Sequence, residues 1–144
     1  MRAAPVRLAC ARVGWRGLAL VLSGVAWISY GAGLTVQPRY GTVRGITVLL
    51  HLLPMTAWGC LWIACGVACL LYALAGTGRD QSGLVAAVVP PLLWAVAYAL
   101  GGMVGVGVAW SGVAPWASHA GLIYVIARVT RPPRIVVVGA DGES

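Results

Sequence analysis

The sequence contains no lysine, no phenylalanine and no asparagine, and acidic side chains are almost as scarce. Its 144 residues include three acids, Asp80, Asp141 and Glu143, and none of them lies within a long apolar run. Proton-coupled membrane carriers depend on a carboxylate embedded in the membrane. The sequence therefore disfavours that class of transporter.

The motifs that carry enzyme chemistry are missing as well. Cys60, Cys65 and Cys69 form no Cys-x-x-Cys pair and Cys10 lies apart from them, which disfavours a thiol oxidoreductase. No Ser-His-Asp set, phosphate-binding loop or zinc signature occurs. We therefore predict a protein that is not an enzyme and has no catalytic residue, cofactor or resident metal.

The sequence is rich in hydrophobic residues, and many of them lie in long apolar stretches. Hydrophobic residues make up 60% of the chain and charged residues 9%, with a mean hydropathy of +0.90, which leaves too few polar groups to cover a soluble domain. Four apolar stretches approach or exceed the ~17–25 residues that a membrane helix needs: 17–36, 45–75, 83–104 and 113–129. We predict an all-α polytopic membrane protein, a single membrane domain over residues 1–144 with four transmembrane helices in a bundle and short basic tails at 1–16 and 130–144.

The arginines predict the orientation. Cytoplasmic flanks accumulate positive charge, and with the N-terminus inside, only Arg39 and Arg44 of the ten arginines lie outside. Both tails and the loop 76–82 are then cytoplasmic. The first span is expected to be an uncleaved anchor, because about twenty apolar residues exceed the ~7–15-residue core of a signal peptide. Since the arginines flank the spans, we expect contact with the lipid bilayer and its anionic headgroups, and none with nucleic acid.

Glycines recur along the first two predicted helices. The first carries Gly17, Gly24 and Gly31, and the second carries Gly45, Gly59, Gly66 and then Ala73, with spacings of seven or multiples of seven. Small residues at such spacing let two helix backbones approach closely. We predict that the first two helices pack through these faces; the alternative is a chance register in a chain with 20 glycines.

Three prolines predict irregular helices. Pro54 interrupts a stretch too long for one straight span, so the helix over 45–75 should kink there or begin near it. Pro90 and Pro91 remove two backbone donors and free the carbonyls of Ala86 and Ala87. Neighbouring helices or water must then satisfy those carbonyls, either at a packing kink or at a gating hinge.

One side of the second helix carries residues that are capable of binding a soft metal. At ~100° per residue, six side chains fall within about 40° of one line: His51, Met55, Trp58, Trp62, Cys65 and Cys69. Such ligands suit Cu(I), although only Cys65 and Cys69 are near enough to share an ion, and simple packing of the bundle is the favoured interpretation. His51 and His119 are candidate polar positions on the outer side, where His119 would approach His51.

Several short motifs resemble the small four-span membrane proteins encoded by phages of high-GC actinobacteria. They are Pro54-Met-Thr-Ala-Trp58-Gly59, Trp62-Ile63, Gly78-Arg79-Asp80 with Gly83, Pro90-Pro91-Leu92-Leu93-Trp94, and Tyr98. The absence of lysine, phenylalanine and asparagine is typical of a high-GC genome. The resemblance covers the middle two helices and implies a phage protein in the cytoplasmic membrane of its host, where small multi-span proteins are often suspected holins.

Two hypotheses for function remain open. A holin needs polar surfaces to line a hole, and the spans offer only scattered hydroxyls such as Ser23, Ser29 and Thr56 besides the histidines. We therefore favour a non-enzymatic protein that associates through its helices, as a homo-oligomer or with another membrane or phage component, or that changes the host envelope against superinfection. A holin that releases an endolysin is the alternative, and a metal or redox role for the His51/Met55/Cys65/Cys69 stripe is a more distant one.

Overall fold

The computed structural model describes residues 4–37, 40–75 and 80–130, and within them every element is helical. Over these residues there are four long helices and two short ones. Their bounds are α1 Ala4–Val36, α2 Tyr40–Gly45, α3 Thr47–Leu50, α4 Met55–Leu74, α5 Asp80–Met103 and α6 Trp110–Val129, with a 3₁₀ turn at Gly107–Ala109. The predicted all-α class is confirmed.

The first helix is interrupted near its beginning. Gly14 has φ 58° and ψ 178°, so α1 consists of two helical pieces that meet at this residue. Residues that carry a Cβ atom rarely adopt a positive φ, whereas glycine does so readily. The apolar part of the helix therefore starts at Gly14, three residues before the predicted start of the span.

Pro54 marks the start of a helix. It has the extended ψ of 157° at the N-cap, and α4 begins at Met55, because the proline ring fits a helix start but cannot accept an interior position without losing a hydrogen bond. Of the two expectations for the stretch 45–75, a kink at Pro54 or a helix start near it, the structure has the start; residues 45–54 form the end of α2, the short helix α3 and a turn.

Helix α5 continues through Pro90 and Pro91 and ends in a Schellman motif. Gly105 has a φ of 94°, its amide donates to the carbonyl of Gly102 at 3.2 Å, and the amide of Val106 donates to Gly101 at 3.0 Å. These bonds satisfy carbonyls that a helix end leaves free. They turn the chain into the 3₁₀ segment that leads to α6.

The four long helices pack side by side with alternating directions. Most contacts join α1 to α4 and α5 to α6, and α4 also packs on α5. Gly24 meets Gly66 while Gly31 meets Gly59, so α1 and α4 are antiparallel. The start of the apolar part of α1, the start of α5 and the end of α6 consequently lie at one end of the molecule, where Arg16, Gln81 and Arg128 line a common cavity.

In the part of the chain that the structure describes, three helical segments are long and apolar enough to cross a membrane: Gly14–Val36, Met55–Leu74 and Gln81–Met103. The chain thus has the helices of a membrane protein. The fourth predicted span, 113–129, lies in α6, which is a helix of 20 residues but is not one of these three. Ser111, Ser118, His119 and Arg128 make it more polar.

Candidate functional site: an aromatic centre

Two pairs of glycines bring α1 and α4 into backbone contact. A Cβ atom added to Gly24 would lie 2.8 Å from the carbonyl oxygen of Gly66, and one added to Gly31 would lie 2.5 Å from that of Gly59. Carbon atoms do not approach oxygen so closely, so no larger residue fits without a shift. The structure therefore places the two glycine stripes against each other, and Gly17, in the same helix, is also buried.

Gly45, which the sequence places on the same stripe as Gly59 and Gly66, lies outside the helix that carries them. Gly45 ends α2 and packs against the ring of Tyr98 on α5, and a Cβ added to Gly101 would lie 2.6 Å from the carbonyl oxygen of Gly45. The break before Pro54 explains the difference, because Gly45 does not continue the register of α4. It belongs to a second close contact, between α2 and α5.

The close approach of α1 and α4 allows aromatic side chains from all four long helices to meet. We call this cluster the aromatic centre: Trp27, Tyr30, Trp58, Trp62, Trp94, Trp116 and His119. Trp62 is fully buried, and its ring centroid lies 4.6 Å from that of Tyr30, 4.9 Å from Trp27, 5.1 Å from Trp94 and 5.2 Å from Trp116. The pairs with Trp27 and Trp94 are edge-to-face and the other two are tilted; edge-to-face pairs stabilise a core beyond the area that they bury.

The indole of Trp27 satisfies the backbone defect that a proline creates. Its Nε1 donates a hydrogen bond of 3.1 Å to the carbonyl oxygen of Ala87. That oxygen would accept from residue 91 in a regular helix, but Pro91 has no amide hydrogen. The sequence predicts that a neighbouring helix or water must satisfy this carbonyl, and α1 does so.

Two further indoles of the aromatic centre also have hydrogen-bond acceptors. Trp94 Nε1 donates to the hydroxyl of Tyr30 at 3.1 Å, and Trp58 Nε1 donates to the carbonyl of Leu49 at 3.2 Å. The first bond joins α5 to α1, and the second ties α3 to α4 across the turn before Pro54. Sequence reasoning placed Trp58 and Trp62 on one stripe but missed their partners on α1, α5 and α6, for which no local pattern gives a signal.

We expect the bond between Trp27 and Ala87 to be energetically coupled to Pro91. Trp27→Phe should lower the free energy of unfolding by about 1–3 kcal/mol, because it leaves a buried carbonyl without a donor. In a Pro91→Ala background the new amide can bind that carbonyl, so the same change should have a clearly smaller effect. Denaturant titration in mixed micelles measures all four members of this double-mutant cycle.

Trp58→Phe is the matched control, since its acceptor, Leu49, is not freed by a proline. Its effect should be the same with Pro91 and with alanine at position 91. Equal effects of Trp27→Phe in both backgrounds would contradict the role of the indole in satisfying Ala87.

Two polar atoms of the aromatic centre have no hydrogen-bond partner among the described residues. They are Nε1 of the fully buried Trp62 and Nε2 of the half-buried His119. Both rings pack against Trp27, with His119 at a centroid distance of 4.7 Å. His119 thus contacts the middle of α1, whereas His51 is exposed in the turn before Pro54.

The soft-ligand stripe is not gathered into one site. About 21 Å of helix separates Met55 from Cys69 at ~1.5 Å per residue. The thiol of Cys69 lies 3.6 Å from the carbonyl oxygen of Gly83, to which it donates. No group of three or more metal-binding side chains occurs in the part of the chain that the structure describes. The stripe instead supplies Trp58, Trp62 and Cys69 to the packed interior.

Over the described residues, the protein is all-helical and has three membrane-compatible helices, and its interior is an aromatic cluster with few charged groups. No protein-family model, no curated protein and no solved structure matches the chain. The function therefore has to be inferred from the residues and contacts of this chain.

Proposed function

We propose that the protein is a non-enzymatic integral membrane protein that acts by association, with further copies of itself or with another membrane protein. It crosses the cytoplasmic membrane of a bacterial host four times, with both tails in the cytoplasm. The motif resemblance to small phage proteins suggests that the host is an actinobacterium and that the gene is carried by a phage.

The distribution of apolar side chains is the observation that supports membrane insertion. The outer face of α5 is a single stripe of large exposed residues: Val85, Val89, Leu92, Val96 and Leu100. Helices α1 and α4 also expose large apolar side chains, including Leu22 and Leu71. Water disfavours apolar surface of this extent, whereas lipid chains solvate it. The indoles of Trp27, Trp62 and Trp94 lie in the interior.

The outer face of α6 supports association, because part of it is covered only by small side chains. Four small residues are exposed on one side of it: Ala114, Ala117, Ser118 and Gly121. A Cβ added to Gly121 would meet nothing within 4 Å, and the hydroxyl of Ser118 is satisfied by the carbonyl of Ala114 at 2.7 Å. Such a face lets another helix approach closely, as α1 and α4 do within the chain.

Site-specific photocrosslinking in living cells tests the proposal. A photoreactive amino acid at position 121 should give a discrete adduct, either at twice the mass of the chain or with one other membrane protein. The same amino acid at Val96, on the large-residue stripe of α5, should give none, because lipid is its expected neighbour. Equal adducts at both positions, or no adduct at position 121 of the inserted protein, would contradict association through α6.

Membrane potential and growth separate this function from that of a holin. We expect steady growth and an intact potential during controlled expression, with a co-expressed endolysin that lacks an export signal retained inside the cell. Abrupt collapse of the potential after a delay, with release of the endolysin, would replace the proposal by the holin alternative.

A further inference from the structure

A cavity between α5 and α6 has a cationic end and an apolar wall. Its volume is about 230 Å³. The polar lining comes from Arg16, Gln81, Tyr124 and Arg128, and the rest from Leu84, Val85, Val88, Val89 and Ala127. Two of the described lining residues, Arg16 and Arg128, are cationic, and this charge favours an anionic group over a cationic one.

The polar and apolar parts of this cavity are separated along the helix axis. Gln81 stands in the first turn of α5 and Arg128 in the last turn of α6, and Arg16 joins them from the beginning of the apolar part of α1. The valines follow Gln81 by one and two turns, which is ~6–12 Å further along α5. Val85 and Val89 also belong to the exposed outer stripe of α5, so the apolar wall opens toward the surroundings of the protein.

We propose that this cavity binds one anionic phospholipid, whose phosphate lies between Arg16 and Arg128 and whose first acyl segment lies along Val85 and Val89. A guanidinium group donates paired hydrogen bonds to phosphate oxygens, and the apolar wall favours an acyl chain over a hydrated ion. The cavity is too small for a whole lipid, so the remainder of the chains lies in the bilayer. The guanidinium of Arg128 lies 6.0 Å from the ring centroid of Tyr124, which also lines the cavity, within the range of a cation–π contact.

This inference rests on the proposed membrane insertion, and it adds a specific ligand at the arginine-rich end of the helices. Basic pockets between membrane helices recognise lipid headgroups through local charge. The site therefore should discriminate between phosphatidylglycerol, which is anionic, and phosphatidylcholine, which carries no net charge, beyond the general attraction of a basic protein for an anionic surface.

Native mass spectrometry of the full chain, released from nanodiscs of mixed phosphatidylglycerol and phosphatidylcholine, tests the proposal. Wild-type protein should retain one phosphatidylglycerol in preference to phosphatidylcholine. Arg128→Gln should lower this preference about fivefold, since an arginine near an anionic lipid contributes roughly that factor, and Arg16→Gln with Arg128→Gln should abolish it. Arg128→Lys should restore part of the preference.

Arg44→Gln is the matched control, because it removes the same charge from an exposed position in α2. An equal loss with Arg44→Gln, or an undiminished preference in the double variant, would overturn the lipid site. Inorganic phosphate added to phosphatidylcholine nanodiscs should not displace retained lipid or stabilise the protein; if it raised the melting temperature as phosphatidylglycerol does, the site would bind free phosphate instead.

The stability of each variant in phosphatidylcholine alone shows whether it is folded, and alkaline extraction of membranes shows whether it is inserted. A chain that is extracted at alkaline pH would contradict the proposed membrane protein itself. A chain that remains inserted and folded but shows no lipid preference would contradict only the lipid site.

Discussion

Leucine in place of Gly24 or Gly66 is expected to separate α1 from α4 and to unfold much of the aromatic centre. At both positions even a Cβ would lie within 3 Å of the opposing backbone carbonyl, and backbone cannot rotate away as a flexible side chain can. Overpacking of a core typically lowers the free energy of unfolding by about 1–3 kcal/mol. We expect each leucine variant to reach or exceed the upper end of that range, as measured by denaturant titration in mixed micelles.

Gly33→Leu provides the control on the same helix. It lies two residues from Gly31, but a Cβ there would meet nothing within 4 Å. It should change the free energy of unfolding by less than about 0.5 kcal/mol, as substitutions at unpacked positions usually do. If the leucines at positions 24 and 33 had equal effects, the close contact between α1 and α4 would not be the cause.

The second large expected effect is in the labelling of single cysteines, which reports the side of the membrane on which each residue lies. In intact cells such labelling is close to all or none. In a chain without its native cysteines, Gln37→Cys should react with a membrane-impermeant maleimide from outside. Ser82→Cys should react only after permeabilisation. Both side chains are exposed in the structure, so a difference reports the membrane and not burial. Labelling of Ser82→Cys in intact cells would overturn the proposed orientation.

Labelling of single cysteines in intact cells also shows whether α6 crosses the membrane. Ser111 and Thr130 stand at the two ends of this helix. Ser111→Cys should be labelled in intact cells and Thr130→Cys should be protected, because a crossing helix puts its ends on opposite sides. Labelling of both positions would place α6 along the outer surface and leave three spans. Both results are read against the same variants in permeabilised cells.

Membrane-compatible helices could be predicted because hydropathy is a property of composition and length. The segments Gly14–Val36, Met55–Leu74 and Gln81–Met103 overlap the first three predicted spans, with differences at their ends. Pro54 defines the start of α4 through its own ring geometry. Gly45 does not pack with Gly59 and Gly66, because the seven-residue periodicity does not continue across the break before Pro54.

The aromatic centre was beyond sequence reasoning. Nothing near Trp27 indicates that its indole binds the carbonyl of Ala87, 60 positions away, and nothing near His119 places it against Trp27 rather than near His51. Such contacts depend on how far each helix is rotated and shifted along its neighbours. Those quantities are set by packing between helices and not by local propensity.

The sequence by itself determined that this chain is helical, that it has long apolar helices and that the carbonyls before Pro90 and Pro91 need donors, because these follow from composition, length and covalent geometry. The tertiary structure decided which donor satisfies Ala87, which glycines meet, and that Arg16 and Arg128 share a cavity with the valines of α5. The physical reason is that close packing joins residues distant in the chain, and their proximity exists only once the helices have docked.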